Sequence, residues 1–198
     1  MRASRLLVSL ALCNAVVACR GQQASGGAAT QQPSDATPAV IATDPVALSA
    51  VRFTQAFYDW YRKVDDAYPK AIDSRPEFFA PELRAALRAD LEAQRRSHDE
   101  TVGMDWDPFT ASQDPCDPYQ AGRARRNGDT IIVAVTRLGC GGSMAGTRPS
   151  VLAKLRRIDG QWQFVDFRDA WDSGGQSVLN VLADLARDRA AHPNPDAR

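Results

Sequence analysis

The spacing of hydrophobic residues changes along the chain, and each change marks a different element. Leu6 to Val17 is almost continuously apolar, broken only by Ser9 and Asn14. Arg20 to Thr43 has no apolar period at all. Asp44-Pro45 then offers a helix cap followed by a first-turn proline. After it Val46, Ala50, Phe53, Phe57, Trp60, Tyr61, Val64 and Tyr68 recur at intervals of three and four. That spacing predicts one amphipathic helix running to near Pro69. Its aromatic stripe is read as core rather than as a ligand cage. Pro81 opens a second helix, with Leu83, Ala86, Leu87 and Leu91 on one face and Asp90 interrupting it.

From Gly103 to Pro118 the chain reads as an acidic loop by its proline and aspartate content. Strands follow. Tyr119–Arg126 and Thr130–Leu138 flank Asn127-Gly128-Asp129, a hairpin signal. Ile131 to Val135 is apolar on both faces, which predicts a central strand. The glycine-rich stretch Gly139–Pro149 leads to Ser150–Ile158, and Asp159-Gly160 turns it into Gln161–Ala170. Ser173-Gly174-Gly175-Gln176 fits a capping box before a last helix carrying Val178, Leu179, Leu182, Leu185 and Ala186. Helices, then antiparallel strands joined by tight turns, then one helix make an α+β plan, with helices on one face of a curved antiparallel sheet.

The apolar run near the start is about 12 residues long, too short to span a bilayer and the right size for a signal-peptide core. Arg2 and Arg5 precede it, and it ends in Val16-Val17-Ala18-Cys19. That ending resembles the bacterial lipobox. It predicts cleavage before Cys19, a diacylglyceryl group on the cysteine sulfur and a third acyl chain on the new amine, more than stable anchoring requires. Arg20, where an aspartate often marks inner-membrane retention, points to the periplasmic face of the outer membrane. Residues 20–43, rich in Gln, Ala, Ser, Gly, Thr and Pro, then form a tether whose ends lie roughly 25–30 Å apart. The expected organisation is a signal peptide at 1–18, a lipidated cysteine and tether at 19–43, a single domain at 44–192 and a frayed tail at 193–198.

Composition agrees with one folded domain: 198 residues, 44% hydrophobic and 24% charged. Twenty-four basic residues balance 24 acidic ones, which argues against general nucleic-acid affinity. Loss of Arg2 and Arg5 with the signal leaves 22 basic against 24 acidic side chains, a slightly negative mature chain. Of four cysteines, Cys13 leaves with the signal and Cys19 is lipidated. Cys116 and Cys140 remain in an oxidising compartment, which favours a disulfide. Pairing Arg126 with Thr130 across a three-residue loop, and carrying that register down the hairpin, sets Cys116 opposite Cys140.

Candidate chemistry is sparse. Asp105 and Asp107 suit a hard cation, but the later glycine and bidentate glutamate of a calcium loop are missing, so no metal is expected. Gly139-Cys140-Gly141-Gly142 lacks the lysine and helix of a phosphate loop. His98 and His192 have no evident nucleophile partner, and no Gly-x-Ser-x-Gly elbow occurs. No cofactor is expected. The acidic loop supplies the partner-binding candidates Asp105, Trp106, Asp107, Phe109, Gln113 and Asp114. Its aspartates serve equally as turn caps, and Trp106 and Phe109 equally as core plugs.

Three motifs taken together resemble domain-of-unknown-function family 3828. They are Phe57-Tyr58-Asp59-Trp60-Tyr61, Asp105-Trp106-Asp107-Pro108-Phe109 with Gln113-Asp114, and Gly160-Gln161-Trp162-Gln163-Phe164-Val165-Asp166-Phe167. The resemblance covers roughly Ala47 to Arg187. It implies a secreted or lipid-anchored bacterial protein with a cone-like fold similar to nuclear transport factor 2, and brings no catalytic residues. The expected function is that of a non-enzymatic periplasmic lipoprotein binding a protein partner. Either it is an immunity protein against a delivered toxin, or an accessory subunit of an envelope complex. It would meet the membrane through its lipid anchor only, and no nucleic acid. The alternative is a small-ligand binder or cone enzyme using Asp105, Asp107, Tyr119, Asp166 or Asp169.

Overall fold

A computed structural model describes residues 44–64, 67–97, 102–114, 117–139, 148–170 and 175–192. All of them belong to one compact unit, Thr37–Arg198. The expected signal, Cys19 and tether, the cysteines 116 and 140, His98, Ser173 and the tail at 193–198 lie outside the described residues. The architecture is α+β. The order is α1 (Pro45–Tyr61), α2 (Ala67–Ser74), a 3₁₀ turn (Pro76–Phe78), α3 (Pro81–Arg96), β1 (Tyr119–Asn127), β2 (Thr130–Arg137), β3 (Val151–Ile158), β4 (Gln161–Asp169) and α4 (Val178–Ala191). The strands form one antiparallel sheet in the order β1-β2-β3-β4, so β2 is internal as its two apolar faces predicted.

Helix α1 starts as the sequence dictates. Asp44 accepts the Val46 N–H at 2.8 Å and the Arg126 guanidinium at 2.9 Å, and Pro45 fills the first turn. It stops sooner than the periodicity predicts. The N–H groups of Lys63 and Val64 reach back three residues, to Trp60 and Tyr61, and this tighter winding ends the helix. Pro69 then lies in the first turn of α2, where its missing N–H costs nothing. Tyr68, Ala71 and Ile72 are buried from this second helix. The three-and-four spacing runs through the break, so periodicity alone could not reveal it.

The β1–β2 and β3–β4 pairs each contain a bulge that sets which residues face the helices, whereas β2–β3 keeps one register throughout. At the β1–β2 turn Asn127 pairs with Thr130, a two-residue loop rather than the three-residue loop expected. Gly122 and Arg123 then oppose Ala134 alone, and the extra residue shifts the register by one. At the strand base Tyr119 pairs with Arg137, the register that an Arg126–Thr130 pairing would have given. The β3–β4 turn, with Asp159 at φ 51° and Gly160 at φ 80°, has both central residues left-handed, the geometry of the tightest hairpins. On β4 Val165 is extra between the Leu155–Phe164 and Lys154–Asp166 pairs. Phe164 and Phe167, three apart, are therefore both fully buried.

The helix-facing side of the sheet carries Ala124, Ile131, Val133, Val135, Val151, Ala153, Leu155, Phe164 and Phe167, all in the same core as the buried residues of the helices. Phe57 of α1 is its centre, with ring centroids 4.9 Å from Phe164, 5.2 Å from Tyr61 and Phe78, and 5.5 Å from Phe109. Such aromatic pairs add about 0.5–1.5 kcal/mol each beyond burial. The outer edge of β4 is covered by bridges from Phe79 to Phe164 and from Ser177 to Arg168. Helix α4 begins at Ser177, whose hydroxyl accepts the Asn180 N–H, not at the capping box starting with Ser173. Asp166 accepts the Leu179 N–H at 3.2 Å, placing a carboxylate at the positive end of α4.

Candidate functional site

The acidic loop is built around Asp107. Its backbone N–H donates to Ser112 O, and its carbonyl accepts the Ala111 N–H, closing a tight loop with Ala111 at φ 51°. Its carboxylate points inward. Oδ1 accepts the Phe109 N–H at 2.8 Å and Oδ2 accepts the Tyr61 hydroxyl at 2.6 Å. Tyr58 donates to Phe109 O at 2.5 Å, and the Phe109 ring stacks on Phe79 at 5.0 Å within the core. Two tyrosines one turn apart on α1 thus hold the loop at both Asp107 and Phe109.

The electrostatics follow from burial. Loss of water pushes the Asp107 carboxyl up from its ordinary value, against the opposing pull of the Tyr61 and Phe109 hydrogen bonds. Burial, and then the nearby Asp107 charge, push the Tyr61 and Tyr58 hydroxyls up as well. Both tyrosines stay protonated and remain donors. This is a polar latch inside an aromatic core.

The loop's remaining candidates lie outward. Asp105 is exposed and accepts from the Gln113 side-chain amide at 3.0 Å; Asp114 is exposed too, and Trp106 is half-buried against the core. The outward side of this loop is therefore Asp105, Trp106, Gln113 and Asp114, while Asp107 and Phe109 are its inward anchors. Of the residues named for a ligand or catalytic site, Tyr119 is buried and stacks on Tyr58 at 5.5 Å. Asp166 is buried and holds the start of α4. Asp169 is half-buried at the end of β4. Asp105, Asp107 and Asp166 each have a different partner: Gln113, Tyr61 and the Leu179 N–H. Among the described residues, no three His, Cys, Asp or Glu side chains gather in a metal-holding group, and no helix is long and apolar enough to cross a membrane.

The three motifs singled out in the sequence converge in space. Phe57 and Tyr61 stack, Tyr61 donates to Asp107, Phe109 lies 5.0 Å from Phe167, and Phe57 lies 4.9 Å from Phe164. Three segments far apart in sequence make one latch and one aromatic core, so what they specify is the fold.

The other side of the sheet was not singled out by sequence. There a depression of about 150 Å³ is lined by Arg125, Asn127, Ile132, Leu152, Lys154 and Arg168. Its volume is below the several hundred Å³ usual for small-molecule sites. The signal for it was present in the strands: Ile132 and Leu152 alternate with the buried Ile131, Val133, Val151 and Ala153.

No family model matches the chain, and no curated protein matches it. Among solved structures, it is similar to the native type VI effector-immunity complex Tae3-Tai3 from Ralstonia pickettii, at 25% identity and a TM-score of 0.46, over 61% of this chain and 94% of that one. It is also similar to the selenomethionine form of the same complex, at 25% identity and a TM-score of 0.45, over 61% of this chain and 96% of that one.

Proposed function

We propose that this chain is a non-enzymatic bacterial lipoprotein whose domain binds a protein partner in the periplasm. The observation that carries the reading is the use to which the acids are put. A cone enzyme needs carboxylates free to exchange protons with a substrate. Here Asp107 and Asp166 are buried and accept backbone N–H groups, and Asp107 is further held by Tyr61. They hold the fold together. What remains outward on the acidic loop is a half-buried tryptophan beside two exposed aspartates and a glutamine, an aromatic with a polar rim, as protein contacts are arranged.

The narrower form of the proposal is an immunity protein that neutralises a delivered toxin. An accessory role in an envelope complex is the broader form. The anchor and tether expected from residues 1–43 support the narrower one, since they would hold the domain where a delivered toxin arrives. Kinship with family 3828 belongs to the same proposal, on the three motifs that form the latch and core.

The test is co-expression with the product of the adjacent gene, followed by co-purification and a sibling-competition assay. A stable complex, and sensitivity of the deletion strain to its siblings, are expected. Deletion without sensitivity, and no complex, would overturn immunity. Loss of a phenotype in Asp105→Asn with the fold intact and every partner complex retained would favour the catalytic alternative.

A further inference from the structure

We infer that the open face of the sheet is the docking surface for an acidic, apolar-tipped surface of the protein partner; the inference rests on the protein-binding reading above. Strand register assembles the patch. One row runs from Arg125 through Ile132 to Lys154 and ends at Asp166, buried and turned to the Leu179 N–H, and the next runs from Ala134 through Leu152 to Arg168. Two aliphatic side chains, each half-buried, thus sit between cations contributed by three different strands. The helices take the opposite face into the core, and Ile132 and Leu152 lie outside that core.

Charge identifies the occupant. Arg75, Arg88, Arg96, Arg126, Arg156, Arg187 and Arg189 each lie within 4.0 Å of a carboxylate. Arg125, Lys154 and Arg168, like Arg52, Arg62 and Lys70, form no such ion pair among the described residues; what sets the three apart is that they surround one depression with an apolar floor. Three like charges around one depression repel, and an acidic surface relieves that repulsion while steering the encounter. Shape chooses between protein and membrane. The apolar residues line a depression of about 150 Å³ rather than project from the face. A concave apolar floor receives an inserted side chain, whereas a headgroup plane would need a projecting wedge.

The test uses the full mature chain in detergent and the purified product of the adjacent gene. Arg125→Glu/Lys154→Glu/Arg168→Glu is compared with a control, Arg52→Glu/Arg62→Glu/Lys70→Glu, which places the same charge change on α1, the turn after it and α2. The expected result is a Kd weakened at least tenfold by the first triple and less than threefold by the control, with both melting as the unmodified chain does. Carbodiimide coupling should join Lys154 to a glutamate or aspartate of that protein. Equal affinity of the first triple and the unmodified chain, with the complex intact, would overturn the docking face and leave the protein-binding reading standing. No complex with the unmodified chain would remove both. Binding of this face to anionic vesicles, in preference to that protein, would also overturn the inference.

Discussion

Asp107 and Asp44 are two carboxylates of one domain with opposite consequences for its acid stability. Burial raises the pKa of Asp107 in the folded state, so the native protein holds that proton more tightly than the unfolded chain does. Its contribution is therefore fully present below the unfolded value and is lost as pH rises through the folded one. At Asp44 the Val46 N–H and then Arg126 lower the pKa. Its contribution is present above the unfolded value and is lost as pH falls through the folded one. Thermal melts from about pH 3 to pH 7 should separate the two. The Tm of Asp107→Asn minus that of the unmodified protein should move upward as pH rises. The same difference for Asp44→Asn should move downward. Parallel changes for the two variants would contradict the assignment of burial to one and capping to the other.

Between elements, the informative residues are polar groups at positions patterned for apolar ones. Asp90 interrupts the leucine stripe of α3, yet only 1% of it is exposed. It accepts from the Met104 N–H at 3.0 Å, the Gln94 amide at 2.9 Å and Arg189 of α4 at 2.6 Å. It ties α3, the start of the acidic loop and α4 together. Removing one member of a buried pair costs up to about 3–5 kcal/mol. Arg189→Ala leaves the Asp90 carboxylate buried without its cation, whereas in Asp90→Ala the Arg189 side chain, 23% exposed, can turn to water, so Arg189→Ala should cost at least as much as Asp90→Ala. Urea unfolding of both single variants and the double should give a coupling of about 0.5–3 kcal/mol; additive losses would break the link between the helices.

What the sequence made legible follows from the same physics. Strands and turns were readable because alternation and Asp-Gly or Asn-Gly pairs are local signals. The bulges were not, because they advance the phase of alternation by one without changing composition. The break between α1 and α2 was hidden by an apolar spacing that runs through it. Asp90 and Asp107 were ambiguous because their partners lie 99 and 46 residues away. The cation ring of the open face was invisible, since its members become neighbours only through register. The disulfide expected between Cys116 and Cys140 falls outside the described residues. Thiol labelling of oxidised and reduced periplasmic protein should find no free thiol and then two, and reduction should cost about 3 kcal/mol. Two free thiols before reduction would exclude the bond.

At the scale of the whole molecule, the proposed anchor and the proposed binding surfaces fall on different parts of the chain, and such a separation is what a tethered receptor would require. The proposed lipid is on Cys19, while the acidic loop and the open face of the sheet belong to a domain whose first described residue is Asp44. Two acyl chains already hold a protein stably on a membrane, and one chain does not. Cys19→Ser removes the thioether and the cleavage that exposes the amine, so neither acylation can follow. Metabolic labelling with palmitate should disappear in this variant. Its domain should keep its Tm and its affinity for the partner in solution. Protection of the cell should nevertheless fall, because an unanchored or unprocessed chain is no longer concentrated at the periplasmic surface. Palmitate incorporation that persists in Cys19→Ser would place the lipid elsewhere. A domain that loses partner affinity along with the lipid would mean that the membrane is part of the binding site and not merely the place where the domain is held.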